Sequence, residues 1–405
     1  MQLTYKIAAK LFLSLILLNQ ALQASPNIKV LLGEFDPTKK QIFNIQSEKE
    51  FLLKTPKTKQ FLLRSNKLQI LLKNNVLYGR GKKGPLKKIN YQEIEIKPIA
   101  THKNSKTILI NKKPYHGTLS LKFCPKTEKL LLINTLNLED YVYAVLLAES
   151  YQTWPHEMQK IQAIVSRTYA VHQMTTSRRS SNKPYNIKCN NFHQRYTGKH
   201  NYHHLRRAVD ETKNLILTHD GNVVLAMFDA CCGGSIPANM TGIDFSKAPY
   251  LARTTPCHFC KNYALYNWKR TFSEKQFISK LLAYSPLKNK FRSTRKLKTI
   301  SITERDKAGV VHNIELTFAP ASTIEICGSD FWRSLNSDVR SQNFSIKHEN
   351  NFIIIEGKGF GHQIGFCQRG ARELVRRGWP LKKILAFYYP ETKISQLKVV
   401  KNANV

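Results

Sequence analysis

Glu149 is the residue whose type and setting most clearly offer chemistry. It closes the segment LEDYVYAVLLAE (138–149), in which Tyr141, Val142, Val145 and Leu146 recur at helical spacing, so its carboxyl group falls on the apolar side at the helix C-terminus. Apolar surroundings and the negative end of the helix dipole both favour the protonated form. A carboxyl group still protonated near neutrality is what protonation of a glycosidic oxygen requires. The same position also suits a helix-end glutamate turned to water, and spacing alone does not choose between the two.

The cysteines form the second group. There are 8 of them. Cys231 and Cys232 are adjacent, Cys257 and Cys260 form a CxxC, Cys189 stands four residues before His193, and Cys124, Cys327 and Cys367 are scattered. A CxxC has metal-ligand spacing, and thiolates with an imidazole suit zinc; disulfides are the alternative in an exported chain. The Gly-rich stretch GKGFGHQIG (357–365) is a poor phosphate cradle, because His362 stands where a dinucleotide turn needs its third glycine and no Walker lysine follows. No HExxH helix is present, which argues against a zinc-dependent wall amidase.

Elements must position these residues. Asn137 is a good N-cap for the helix ending at Glu149. Pro155 opens a second helix, PHEMQKIQAIVSRTYAVHQM, reaching about Met174, and the SYQTW connection is short enough for antiparallel packing. Before them, TILI, a turn at Tyr115–Gly117, LSLKF and KLLLINTL read as a β-meander. After them, LILTHDGNVVLAMFDA (215–230) alternates on both sides of Asp220-Gly221, a hairpin signal. The stretch Gly233 to Trp268 is loop-like, strands follow in KTISITER and VHNIELTF, and a helix-like segment covers Ile324 to Leu335. Finally, FIIIEGKGFGHQIGFCQRGARELVRRG reads as strand, turn, then a helix closed by Gly378.

At 405 residues, 42% apolar and 10% aromatic, the chain can bury a real core. Lys6 and Lys10, the apolar run LFLSLILL (11–18) and small residues at Ala21 and Ala24 read as a secretory signal, 1–24. The run is too short to span a bilayer, so after cleavage the protein is not expected to be integral to a membrane. A basic, β-rich module follows over 25–105, then a larger domain over 106–396 that holds Glu149, and a tail, 397–405. The formal net charge of +37 points to an anionic partner. Nucleic acid does not fit an exported chain that lacks helix-turn-helix, RNP and zinc-finger spacings. Lipid headgroups or peptidoglycan, with its lactyl and peptide carboxylates, fit the cell envelope or periplasm better. A basic surface without a specific partner is the plainer reading.

LEDYVYAVLLAES, Trp154-Pro155 and KIQAIVSRTYA, with Cys189 to Gln194, Tyr196 and Gly198, the THDG hairpin followed by CCGG, Trp268, and GFGHQIGFCQRGARELVRRG with ILAFYYPET, occur in an order that resembles the stage II sporulation protein D family, which includes the amidase enhancers. The resemblance covers roughly residues 107–396 and leaves 25–105 uncovered. It implies an α+β fold, with a helical catalytic core packed on antiparallel β-sheets, and lytic transglycosylase activity on glycan strands already stripped of peptides. One carboxyl group protonates the leaving oxygen and the sugar's own 6-hydroxyl attacks, giving a 1,6-anhydro end, unlike the two-carboxylate glycosidases.

Glu149 falls on the family's catalytic glutamate, and Arg167 on an arginine important in the family whose planar fork suits a lactyl carboxylate or a sugar hydroxyl. Gln162, Tyr169, Gln194, His362 and Gln368 are candidate sugar contacts. Some members hold zinc with a histidine and two cysteines. Cys189 and His193 fall on two of those positions, although His193 replaces a cysteine and Lys183 stands near the place of the expected upstream histidine. Cys232, Cys257 and Cys260 are the candidates to complete such a site. The rival from another class is a non-catalytic, peptidoglycan-binding activator of a wall amidase.

Overall fold

The computed structural model describes residues 25–397, except 57, 83, 90–91, 100–106, 180–182, 192, 289, 292–295, 321 and 336–337. The expected export signal lies outside the described residues, as does the expected tail beyond Leu397. The chain forms two compact units, one of Met1–Gln152, Ala170–Leu215 and Gln396–Val405, the other of Thr153–Tyr169 and Ile216–Ser395. Both helices and antiparallel sheets are present, so the fold is α+β.

The first unit is built on two sheets. One has seven strands in the order Ile187–Lys188, Asn27–Phe35, Lys129–Asn137, Thr118–Cys124, Glu93–Pro98, Phe51–Thr55 and Thr58–Leu63. The other has six, in the order Lys113–His116, Thr107–Ile110, Gln41–Ser47, Lys67–Lys73, Val76–Arg80 and Lys87–Ile89. Alternate side chains of both share one core, with Phe43, Ile45 and Ile70 from the second sheet and Phe51, Ile96 and Leu121 from the first.

The boundary expected at residue 105 is crossed by hydrogen-bonded strands. Asn27–Phe35 pairs with Lys129–Asn137, Glu93–Pro98 with Thr118–Cys124, and Gln41–Ser47 with Thr107–Ile110. The physical reason is that the Lys-rich strands are apolar on one side only and need partners from beyond residue 106 to cover it. The expected meander likewise divides at Gly117 between the two sheets. There φ is +84°, and a Cβ would run into the Thr135 carbonyl.

The helix Leu138–Glu149 follows directly from the strand Lys129–Asn137. Within its unit it packs against a helix that the sequence pattern did not signal, His203–Glu211. Arg206 of the latter bonds Asp140 at 2.8 Å and lies 4.0 Å from the centre of the Tyr143 ring.

In the second unit, a sheet of Asn267–Ser273, Phe352–Lys358 and Phe344–Glu349 and another of Leu297–Arg305, Val311–Phe318 and Ser322–Cys327 enclose a core with the helices Glu274–Ala283 and Gly328–Leu335. Phe277, Phe331, Phe344 and Ile353 are central to it. The helix expected from Ile324 thus begins only at Gly328. The alternating STIEIC before it pairs as a strand with Val311–Phe318. Asp220 (φ 47°) and Gly221 (φ 76°) make the expected hairpin turn, and Gly378 (φ 75°) follows the helix Gln368–Arg376. Among the described residues, no helix is long and apolar enough to cross a membrane.

Candidate functional site

Glu149 stands where its helix stops. At the other end the Asn137 side chain accepts the Glu139 N–H at 2.9 Å and donates to the Ser25 carbonyl at 3.0 Å, fixing the start of the helix. Tyr141, Val142, Val145 and Leu146 are buried along its length. Ser150 leaves the helix in extended conformation, its N–H and its hydroxyl both donating to the Leu146 carbonyl at 3.0 and 2.6 Å. The Glu149 carboxylate accepts the backbone N–H of Arg195 at 2.5 Å. Burial pushes its pKa above the ordinary carboxyl value, and the Arg195 N–H and the charge of that residue only partly oppose this.

Arg195 had no signal in the sequence reading, and its neighbours explain how its N–H is aimed. Gln194, wholly buried, accepts the Tyr141 hydroxyl at 2.9 Å. On the other side, the Tyr196 hydroxyl donates to Asn134 at 2.7 Å, and Asn134 in turn donates to the His116 and Thr118 carbonyls. Tyr141 and Tyr196 stack at 5.5 Å. Residues 194–196 are therefore clamped at both ends against the Glu149 helix and the strand before it, which leaves the Arg195 N–H to face the carboxylate. Gln194 acts here by holding this segment.

Arg167 and the remaining candidate sugar contacts lie in the second unit. Gln162 and Gln368 meet, the Gln368 amide donating to the Gln162 side-chain oxygen at 3.2 Å. Arg167 is 0% exposed, with a guanidinium nitrogen 3.5 Å from the Ala163 carbonyl of its own helix, His156–Arg179. A guanidinium with no exposed surface reaches a ligand only if its surroundings open. Tyr169 is 9% exposed, and burial raises its phenol to about 12. His362 is pushed down to about 4 by burial, so its ring is neutral at pH 7 and accepts the Ile364 N–H at 3.1 Å through Nδ1. The next residue, Gln363, donates its N–H to the buried Asp229 carboxylate at 2.6 Å.

The sulfurs of Cys232, Cys257, Cys260 and Cys367 lie within 4.8 Å of one another, all four residues buried. Cys367, which the sequence reading left among the scattered cysteines, is the fourth member. Cys189 and His193 belong to the first unit and are outside this group. The Cys189 thiol donates to the Tyr196 carbonyl at 3.0 Å, and burial with the charges of Lys183 and Lys188 depresses the His193 pKa. No third histidine, cysteine or carboxylate joins these two in a metal-sized cluster among the described residues. They therefore do not reproduce a histidine-and-two-cysteine zinc site.

Comparison with known proteins covers both units. A family described as stage II sporulation protein matches residues 126–219, and one described as a domain of unknown function matches 254–365. An uncharacterised protein of Brachyspira hyodysenteriae is 34% identical over 280 residues, covering 68% of this chain and 70% of that protein. The amidase enhancer of Bacillus subtilis is 24% identical over 388 residues, 85% of this chain but 51% of its own length. Stage II sporulation protein D of the same organism is 24% identical over 321 residues, 73% of this chain and 87% of its own. The first family match spans the Glu149 helix and the Gln194–Tyr196 clamp, which build the carboxyl site, and the long helix between them in sequence. The chain belongs to the stage II sporulation protein D family.

Proposed function

We propose that this protein is a lytic transglycosylase of the cell envelope that cleaves peptidoglycan glycan strands stripped of their stem peptides, with Glu149 as the general acid. The observation that carries this reading is a carboxyl group at a helix end that accepts the Arg195 backbone N–H and whose pKa is raised by burial. Protonated Glu149 gives its proton to the glycosidic oxygen as the bond to the anomeric carbon breaks. The 6-hydroxyl of the same sugar then closes on that carbon, its proton returns to the carboxylate, and a 1,6-anhydro end is left. The excess of cationic side chains suits a carboxylate-bearing wall polymer.

The test is digestion of denuded and intact glycan strands by the purified protein, with mass spectrometry of the products. The parent should release anhydro-ended fragments from denuded strands. Glu149→Gln, which keeps size and hydrogen bonding but not the transferable proton, should lower release by about 100-fold or more while binding persists. Equal release by the variant would remove Glu149 from the mechanism.

The name of the Bacillus subtilis relative, amidase enhancer, favours a second reading, in which the chain binds the wall and stimulates an amidase without cutting glycan itself. That reading takes over if the parent releases no anhydro product yet raises amidase turnover.

A further inference from the structure

We propose that Cys232, Cys257, Cys260 and Cys367 hold one zinc ion as a four-thiolate site that ties the long Gly233–Tyr266 loop to the start of the helix Gln368–Arg376. The geometry is that of a tetrahedron. Four sulfurs around zinc at about 2.3 Å lie about 3.8 Å from one another, and the Cys232 and Cys260 sulfurs stand 3.8 Å apart. All four sulfurs fall within 4.8 Å of each other, close to the edges of one coordination shell. A disulfide, by contrast, needs about 2.05 Å between two sulfurs. Residue type agrees as well, since soft thiolates alone select zinc over hard cations.

The surroundings are those of thiolates. The Cys367 sulfur caps its helix, accepting the Gly370 N–H at 3.4 Å and the Cys232 N–H at 3.3 Å. The positive helix end and these N–H donors offset part of the charge left when one Zn²⁺ replaces four thiol protons. The Tyr388 hydroxyl lies 3.2 Å from the Cys257 sulfur. Gly370 makes room for this. A Cβ there would stand 2.6 Å from the Cys257 sulfur and collide with the Tyr388 hydroxyl. A fifth thiol, Cys231, is buried beside the group, and its backbone pairs in both directions with Phe360, so this strand is anchored without it as a ligand.

One of the segments joined has little regular structure of its own. Between Gly233 and Tyr266 the only regular structure among the described residues is three single 3-10 turns, at Pro237–Asn239, Phe245–Lys247 and Pro249–Leu251. A metal cross-link fixes a loop of this length where backbone ladders do not.

The test is elemental analysis of the full-length protein purified without chelator, together with thiol mapping under non-reducing conditions. The parent should carry about one zinc per chain, and a strong chelator should lower its melting temperature. Cys367→Ser should lose the metal, whereas Cys189→Ser should keep it. Should Cys367→Ser not fold, cobalt substituted into the parent gives a second readout, the intense visible ligand-field bands and near-ultraviolet thiolate charge-transfer bands of a tetrahedral four-thiolate centre. Metal-free protein with these cysteines in disulfides, iron in place of zinc, zinc retained by Cys367→Ser, or a cobalt spectrum with fewer than four thiolates would each overturn the assignment. None of these outcomes bears on glycan cleavage by Glu149.

Discussion

At the scale of single residues, the shift in Glu149 ties activity to stability. Its folded pKa is raised, so the folded state holds this proton more tightly than the unfolded chain does. Its contribution is therefore fully present below the ordinary carboxyl pKa and is lost as pH rises through the folded value. Asp229, buried and also raised, has the same sign. Glu149→Gln should match the parent's melting temperature in acid and equal or exceed it at neutral pH, as thermal melts across pH will show; a variant that melts lower only at neutral pH would contradict the shift. Glu149 was legible from sequence because an apolar stripe and a helix end frame it. Arg195 was not, because its contact with the carboxylate runs through its backbone N–H, a donor that any residue but proline offers. What aims that donor is the pairing of Tyr141 with Gln194 and of Asn134 with Tyr196, contacts across the fold that spacing does not reveal.

At the scale of elements, the helix Leu138–Glu149 depends on its first turn. Asn137→Ala removes the cap to Glu139 and the bond to the Ser25 carbonyl together. The expected cost is about 1 kcal/mol, and the melting temperature should fall by about 2–4 °C for a unit of this size. Calorimetry of the two proteins checks this, and an unchanged transition would mean that the cap contributes nothing. The capped helix, the Asp220-Gly221 hairpin and the helix closed by Gly378 were readable, since each carries its own local signal. The helix His203–Glu211 was not. Only Leu205, Ala208 and Val209 of HHLRRAVDE are buried, too few to show a stripe among its charged and histidine side chains. Residues 324–327 suit a helix as well as a strand by pattern, because STIEIC runs into Gly328–Leu335 with no loop between strand and helix.

At the scale of the whole molecule, 64 lysines and arginines against 27 acidic residues would make the proposed association with an anionic wall electrostatic in part. Binding to sacculi should weaken markedly between about 0.1 M salt, where charges act over about 10 Å, and 1 M, where they act over about 3 Å. A pull-down titrated with salt measures this, and binding indifferent to salt would remove the electrostatic contribution. Long-range pairings were the least legible level, since neither the approach of Cys367 to the CxxC nor the sharing of sheets across residue 105 leaves a pattern within any short window. One of those pairings also sets an order of events. Asn27–Phe35 is joined antiparallel to Lys129–Asn137 and, along its other edge, parallel to Ile187–Lys188. As the chain is synthesised, its first strand emerges long before either neighbour exists, with Ile28, Val30 and Leu31 uncovered. Closing so long a loop comes late in folding. Until residue 137 has been made, this part of the molecule is an unpaired apolar edge, open to chaperones and to other copies of itself.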